Sequence, residues 1–254
     1  MYNDSCKVSI ITPVYNVRNF IFDTISSVLE QDYRDWELIL IDDNSTDGGY
    51  EEIVAEYGSF EKIKIIRNTK NSGAGFSRNA GLDLAEGRYI AFLDSDDIWS
   101  RNKLSSQLKF MEEHNAPICH TSFSFIDFKG EVHPGGVNVS EKVDLIGHLK
   151  NTEIGTSTAI IDRKLVGNFR FSLIRFRQDL KLWISLLASG YSSFGLDKDL
   201  VKYRVRKNSV SSNKIKMLYV TFFIYIKIKQ LPINQRISCY VSYLISAISK
   251  RRGK

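Results

Sequence analysis

Tyr89-Ile90-Ala91-Phe92-Leu93-Asp94-Ser95-Asp96-Asp97 is an apolar run that breaks into three carboxylates within four residues. The apolar half reads as a buried strand. Like charges this close repel, and burying them unpaired is costly or shifts their pKa. A divalent cation is the usual remedy, because hard cations take carboxylate oxygens. In a doubly wound sheet, ligands bind at the C-terminal ends of strands. The cluster therefore points to a metal site that holds a phosphorylated ligand. The plain alternative is a polar turn that caps the next helix.

Working outward, strand and helix signals alternate through the first hundred residues. Val8 to Pro13 is a short β-rich run, and Asn19 to Gln31 carries Phe20, Ile21, Ile25, Val28 and Leu29 at helical spacing. Trp36 to Ile41 is a second strand, stopped by Asp42-Asp43-Asn44-Ser45. Thr46 to Tyr57 reads as a helix capped by Asp47 or Thr46. Ile63 to Ile66 is a third strand, and Asn71 to Gly75 is a tight loop into a helix through about Ala85. This β-α order implies a mostly parallel sheet flanked by helices.

The second hundred residues are more mixed. Leu104 to His114 is an amphipathic helix, Ile118 to Phe128 is β-rich, and Gly155 to Asp162 looks like a strand. Gln178 to Ser189 is a helix with Leu180, Trp183, Ile184 and Leu187 on one side. Two further apolar runs, Met217 to Ile228 and Ile237 to Ile248, are separated by Pro232. Neither reaches the ~20 residues that span a bilayer, and both suit interfacial helices. The alternative is that they pack on the domain. The expected organisation is one α/β domain over 1–212, with halves of about 1–100 and 101–212, and a basic amphipathic tail over 213–254.

A length of 254 residues is enough for one sizeable core, and apolar and charged fractions are ordinary for a globular protein. Charge is not evenly spread. Residues 201–254 hold 13 of the 35 Lys and Arg and none of the 29 Asp and Glu. That leaves 22 basic against 29 acidic residues in 1–200, a net of −7. An acidic body with a basic tail suggests an anionic partner for the tail, membrane or nucleic acid. No recognition motif for nucleic acid accompanies the charge, whereas the missing acids fit attraction to anionic lipid. Cys6, Cys119 and Cys239 form neither a disulfide framework nor a zinc spacing, which weakly suits a reducing compartment. Met1 to Lys7 is polar and carries no leader signature.

Asp42-Asp43 ends the second strand as Asp94 to Asp97 ends the fourth, so both fall on one sheet edge. Carboxylates there can accept from ribose hydroxyls or a base N–H. Tyr15 offers a face for stacking a base, or simply packs. Arg78 and Lys70, around the Gly73-Ala74-Gly75 loop, could meet phosphates. No Walker-type Gly-Lys-Ser/Thr occurs, which disfavours ATP hydrolysis. Asp179 could be a general base or a helix cap. The four histidines show no ligand spacing.

Together, Val8-Ser9-Ile10-Ile11-Thr12-Pro13-Val14-Tyr15-Asn16, Glu37 to Asp47, Arg78-Asn79-Ala80-Gly81 and Ile90 to Asp97 resemble family 2 glycosyltransferases with the A-type fold. The match resumes at Arg177 to Trp183 and at Tyr203 to Ser211. The resemblance implies a nucleotide-sugar site at Pro13, Tyr15, Asp43, Arg78, Asp94 and Ser95. In it Tyr15 lines the base pocket, Asp43 accepts from the base, and Asp94 meets the ribose or donor sugar. Asp96 holds Mn²⁺ or Mg²⁺ on the diphosphate, with Asp97 assisting. Asp179 is the base that deprotonates the acceptor hydroxyl. Many relatives have Glu-Asp where this chain has Gln178-Asp179, and the Asp is kept.

The implied enzyme is an inverting, metal-dependent transferase that moves one hexose per encounter. The expected donor is a UDP-hexose, with UDP-glucose or UDP-galactose first. The expected acceptor is a saccharide or lipid-diphosphate-saccharide of O-antigen, lipopolysaccharide or capsule synthesis. The expected place is cytoplasmic, peripheral at the inner face of the cytoplasmic membrane, with no nucleic-acid partner. A sugar-nucleotide nucleotidyltransferase would show a Gly-rich first loop, and Thr12 to Asn16 contains no glycine. A non-catalytic adaptor on the same fold would be expected to lack Asp96 or Asp179, and both are present.

Overall fold

Every residue of β1 (Val8–Val14) and of β2 (Trp36–Asp42) is buried, because both faces of their sheet are covered. This computed structural model describes residues 7–206 and 214–252. Between and after the two strands come α1 (Ile21–Leu29), α2 (Gly49–Tyr57), β3 (Ile63–Arg67), α3 (Ala74–Leu84) and β4 (Tyr89–Phe92). Then follow β5 (Ile98–Trp99), α4 (Lys103–Glu113), β6 (Ile118–Ile126), β7 (Val132–Val137), β8 (Lys142–Val143) and α5 (Leu145–Asn151). The chain continues through β9 (Ile160–Asp162), α6 (Arg163–Val166), α7 (Gln178–Ala188), β10 (Ser193–Arg204), α8 (Lys214–Ile226) and α9 (Ile233–Arg252).

The sheet order is β3-β2-β1-β4-β9-β6-β10-β5, with β7 beside β6 and β8 beside β10. The long pairings are parallel. β1 runs with β2 from Val8 opposite Trp36 to Val14 opposite Asp42, and with β4 up to Ile11 opposite Phe92. β6 runs parallel to β10, while β9 lies antiparallel between β4 and β6. Chain order reverses at β1, where such sheets open a ligand crevice. Tyr15, Asp43 and Asp94 all leave the sheet at that edge.

Alternate residues of the strands feed two cores. Ile10, Leu38, Leu40 and Ala91 pack with α1, α2 and α4 on one face. Ile11, Ile39, Ile41 and Phe92 pack on the other with Trp183 of α7, Tyr225 of α8, and Cys239 and Tyr243 of α9. The tail is therefore part of the domain's core. It also leaves Tyr219, Phe223, Ile237, Val241 and Ile245 exposed. Among the described residues no helix is long and apolar enough to cross a membrane.

Two expectations need correction. The segment expected as one strand from Gly155 to Asp162 begins with a single 3₁₀ turn, Thr156–Thr158, and only Ile160–Asp162 pairs. Ser157 is drawn out of the ladder to brace the acidic turn described below. The helix expected from Thr46 starts at Gly49. Asp47 accepts from the Gly49 and Arg18 amides, so its side chain serves the loop as well as the helix. The expected boundary at 212 and the motif positions Lys207 to Ser211 lie outside the described residues.

Candidate active site

The turn Asp94 to Asp97 divides its carboxylates between cleft and interior. Asp97 is 1% exposed. Its Oδ2 accepts from Ser157 Oγ at 2.5 Å and its Oδ1 from the Arg204 amide at 3.0 Å. The expectation that Asp97 assists a metal is thus corrected: it faces inward and holds β10 and the 3₁₀ turn to the site. Burial, then Asp96 and Asp94, push its pKa well above the usual carboxylate range. Ser157 also accepts from the Asp94 amide, at 3.1 Å.

Asp94 and Asp96 face the cleft. Asp94 Oδ1 accepts from Arg78 Nη2 at 2.5 Å. Arg78 is itself buried, with its guanidinium 5.2 Å from the centre of the Phe171 ring. Asp96 pairs with Arg206, Nε to Oδ2 at 2.7 Å. Desolvation pushes Asp96 up to about 6; Arg206 opposes this and Asp94 adds to it. Ser95 between them is 7% exposed.

The other expected residues are placed unequally. Tyr15 is 46% exposed at the end of β1, so its ring is open for stacking. Pro13 is buried within β1 opposite Ile41, two residues before Tyr15. Asp43 accepts from Asn68 Nδ2 and from the Ser72 and Gly73 amides at 2.7–2.9 Å. Those bonds leave at most one of about four acceptor positions for a base. Its main work is to shape the loop before α3. Lys70 is exposed on that loop.

The Arg78-Asn79-Ala80-Gly81 stretch now has a physical reading. Arg78 holds Asp94. Asn79 exchanges two hydrogen bonds with the Phe171 backbone, at 2.9 and 2.8 Å. Gly81 lets α3 lie against β1, since a Cβ there would be 2.5 Å from Ile11 Cγ2.

Asp179 lies in the first turn of α7, half-buried, and no hydrogen bond or ion pair among the described residues occupies its carboxylate. The preceding Arg177 adopts a left-handed conformation, φ +58°, and donates to the Tyr243 hydroxyl of α9 at 2.8 Å. Gln178 Oε1 is buried without a partner among the described residues, close against Gly75 at the start of α3.

Sequence reasoning assigned no role to Ser157, Tyr203, Arg204 or Arg206. Arg204 ties the acidic turn together: besides the Asp97 bond, its Nε donates to the Asp96 carbonyl at 2.9 Å and its Nη2 to Asp23 Oδ2 at 3.0 Å. Desolvation pushes the Tyr203 hydroxyl up, although one side of the residue is open to solvent. Asp97, Asp94, Asp96 and Asp179 all add to that shift, so each acts on the Tyr203 hydroxyl. The Tyr203 to Arg206 stretch was the available signal.

The residues present suit a divalent cation in one particular way. Among the described residues no three His, Cys, Asp or Glu form a complete cage. Asp96, with Asp94 beside it, supplies one or two carboxylates, and Arg206 already stands there as a cation. Such a partial set suits Mg²⁺ or Mn²⁺ completed by substrate phosphates and water.

Residues 9–175 match the family described as Glycosyl transferase family 2. The chain is 42% identical over 252 residues to a Bacillus subtilis (strain 168) protein named for teichuronic acid biosynthesis, glycosyltransferase TuaG, covering 99% of this chain and 100% of TuaG. It is 36% identical to the Escherichia coli UDP-Glc:alpha-D-GlcNAc-diphosphoundecaprenol beta-1,3-glucosyltransferase WfgD, over 97% of this chain and 96% of that one. The fold superposes on S. aureus TarS 1-349 in complex with UDP-GlcNAc with a TM-score of 0.74, at 21% identity, covering 96% of this chain and 73% of that one. A sheet edge that carries Tyr15, Asp43 and Asp94, an acidic turn, and a carboxylate at the start of α7 with no partner among the described residues thus accompany sequence likeness along nearly the whole chain, and the chain belongs to glycosyl transferase family 2.

Proposed function

We propose that this glycosyltransferase moves one hexose from a UDP-sugar to a lipid-diphosphate-linked saccharide in bacterial surface-polysaccharide synthesis, with inversion at the anomeric carbon. The observation that carries the reading is the presence of two kinds of carboxylate around Tyr203. Asp94 and Asp96 are charge-compensated by arginines, while Asp179, whose charge acts with theirs on the Tyr203 hydroxyl, has no partner on its oxygens among the described residues. UDP-glucose is the first donor to test, and the name of WfgD supports both it and a polyprenyl-diphosphate acceptor. TuaG and WfgD, matched along nearly their whole lengths, also support the surface-polysaccharide setting.

In this reading Tyr15 stacks on the base, and the loop shaped by Asp43 closes one side of the pocket. Arg78 fixes the Asp94 carboxylate toward the ribose or sugar. Asp96 holds Mn²⁺ or Mg²⁺, with Asp97 bracing the turn from behind. When bound, the cation stabilises the charge gained by the departing diphosphate. Asp179 accepts the proton of the acceptor hydroxyl, a poor nucleophile near neutral pH. A single base with direct displacement inverts the anomeric centre, as in inverting glycosidases with hydroxyl in place of water.

The exposed apolar residues of α8 and α9 fit the interface of an anionic membrane. Ile237, Val241 and Ile245 recur every fourth residue, and the segment from 201 onward has basic residues and no acids. Such contact would bring the cleft to a lipid-linked acceptor, peripheral at the inner face of the cytoplasmic membrane.

The test is UDP release from a panel of UDP-sugars, with and without Mn²⁺, using a lipid-diphosphate-sugar acceptor. Wild type, Asp96→Ala and Asp179→Asn are compared. Metal-dependent turnover of one donor, lost in both variants, is the expected result. Folded wild type that binds no UDP-sugar would overturn the reading.

A further inference from the structure

Two arginines neutralise the cleft carboxylates, and they are held differently. Arg78 is buried, sits on Phe171 and pairs with Asp94. It has no route out without opening the core. Arg206 has a side chain 31% exposed, lies over the edge of the site on Phe20 (5.4 Å to the ring centre) and reaches Asp96 with Nε at 2.7 Å. Asp96 is its only ion-pair partner among the described residues. Arg204 stacks on the same ring at 5.0 Å, but its guanidinium is committed to the Asp96 carbonyl and Asp23.

We propose that Arg206 is a resident counter-ion that a divalent cation must displace from Asp96, so that metal loads together with a nucleoside diphosphate and not before it. The proposal rests on the reading that Asp96 is the metal carboxylate. A guanidinium and a divalent cation compete for that carboxylate and repel each other at contact distance. Metal alone must therefore break the Arg206 pair and leave a guanidinium without an anion. A diphosphate changes the balance on both sides. It brings further oxygen ligands for the metal. It also brings negative charge that a guanidinium released from Asp96 can meet. Metal and nucleotide consequently tighten one another, by the same factor in each direction.

The experiment follows the free Mn²⁺ signal by electron paramagnetic resonance as full-length protein is titrated, with and without UDP. In wild type, UDP is expected to tighten Mn²⁺ binding by about tenfold or more. In Arg206→Gln, nucleotide-free Mn²⁺ binding is expected to tighten about tenfold, and the gain from UDP to shrink correspondingly. Arg206→Lys keeps the charge and should behave like wild type. Thermal melting establishes that each variant is folded, and Arg206→Met serves if the Gln variant is not. A folded Arg206→Gln or Arg206→Met protein that binds nucleotide-free Mn²⁺ no tighter than wild type overturns the proposal. Wild type that binds no Mn²⁺ even with UDP, or Asp96→Asn that binds it undiminished, sinks the metal reading and this proposal with it. The first outcome leaves the metal reading standing, so the two failures are distinguishable.

Discussion

Ser157 Oγ donates to Asp97 Oδ2 at 2.5 Å and accepts from the Asp94 amide at 3.1 Å, so one hydroxyl fixes both ends of the acidic turn. Ser157→Ala leaves a buried carboxylate with one partner fewer. The expected loss is about 1–3 kcal/mol of stability, as for a buried polar group that loses its partner. Urea unfolding of the variant against wild type checks it.

Gly81→Ala places a methyl 2.5 Å from Ile11 Cγ2, between α3 and β1. Overpacking of this kind costs about 1–3 kcal/mol. Ile11→Ala makes room for the methyl, so the double variant is expected to be more stable than the sum of the single losses implies. A double-mutant cycle by denaturant midpoint reads this directly.

Lys103 is fully buried, donates to Gln107 Oε1 at 2.6 Å and lies 4.1 Å from the centre of the Trp99 ring. Burial lowers its pKa from 10.5 to about 7. Between those values the unfolded chain holds a proton that the folded one has released. This residue therefore makes stability rise with pH from 7 toward 10, and adds no slope below 7. Lys103→Met removes the proton difference. The variant's gain over wild type is expected to be larger at pH 7 than at about pH 9.5, measured by urea midpoints.

Ile237 and Ile245 are 49% and 63% exposed on α9. Replacing both by Glu adds two negative charges to the apolar stripe. Sedimentation with phosphatidylglycerol vesicles should fall by at least about tenfold. Stability should change by no more than about 0.5 kcal/mol per site, as is usual at exposed positions. Equal vesicle binding by the variant and wild type would remove the membrane contact from the proposed function.

The first half of the sheet was legible because β1, β2 and β4 are mostly apolar and run into polar or acidic residues. The acidic turn was legible for the same reason. β10 was not, because Asp197-Lys198-Asp199 interrupts it and reads as a loop. The strand absorbs those residues as register shifts between Leu196 and Val201. The inward turn of Asp97 could not be seen either, since its partners Ser157 and Arg204 lie 60 and 107 positions away. Asp43 was read as a site residue, and its three donors come from Asn68, Ser72 and Gly73, a local loop geometry that composition does not encode.

The bond from Arg177 to Tyr243 changes how a shortened chain would behave. Cutting before Lys214 would strip Tyr225, Cys239 and Tyr243 from the cluster around Trp183 and release the residue two positions before Asp179. Such a truncation would lose activity through a bared interior and a loosened α7. Its inactivity would say nothing about lipid attachment, and a minimal catalytic unit of this enzyme must keep its last two helices.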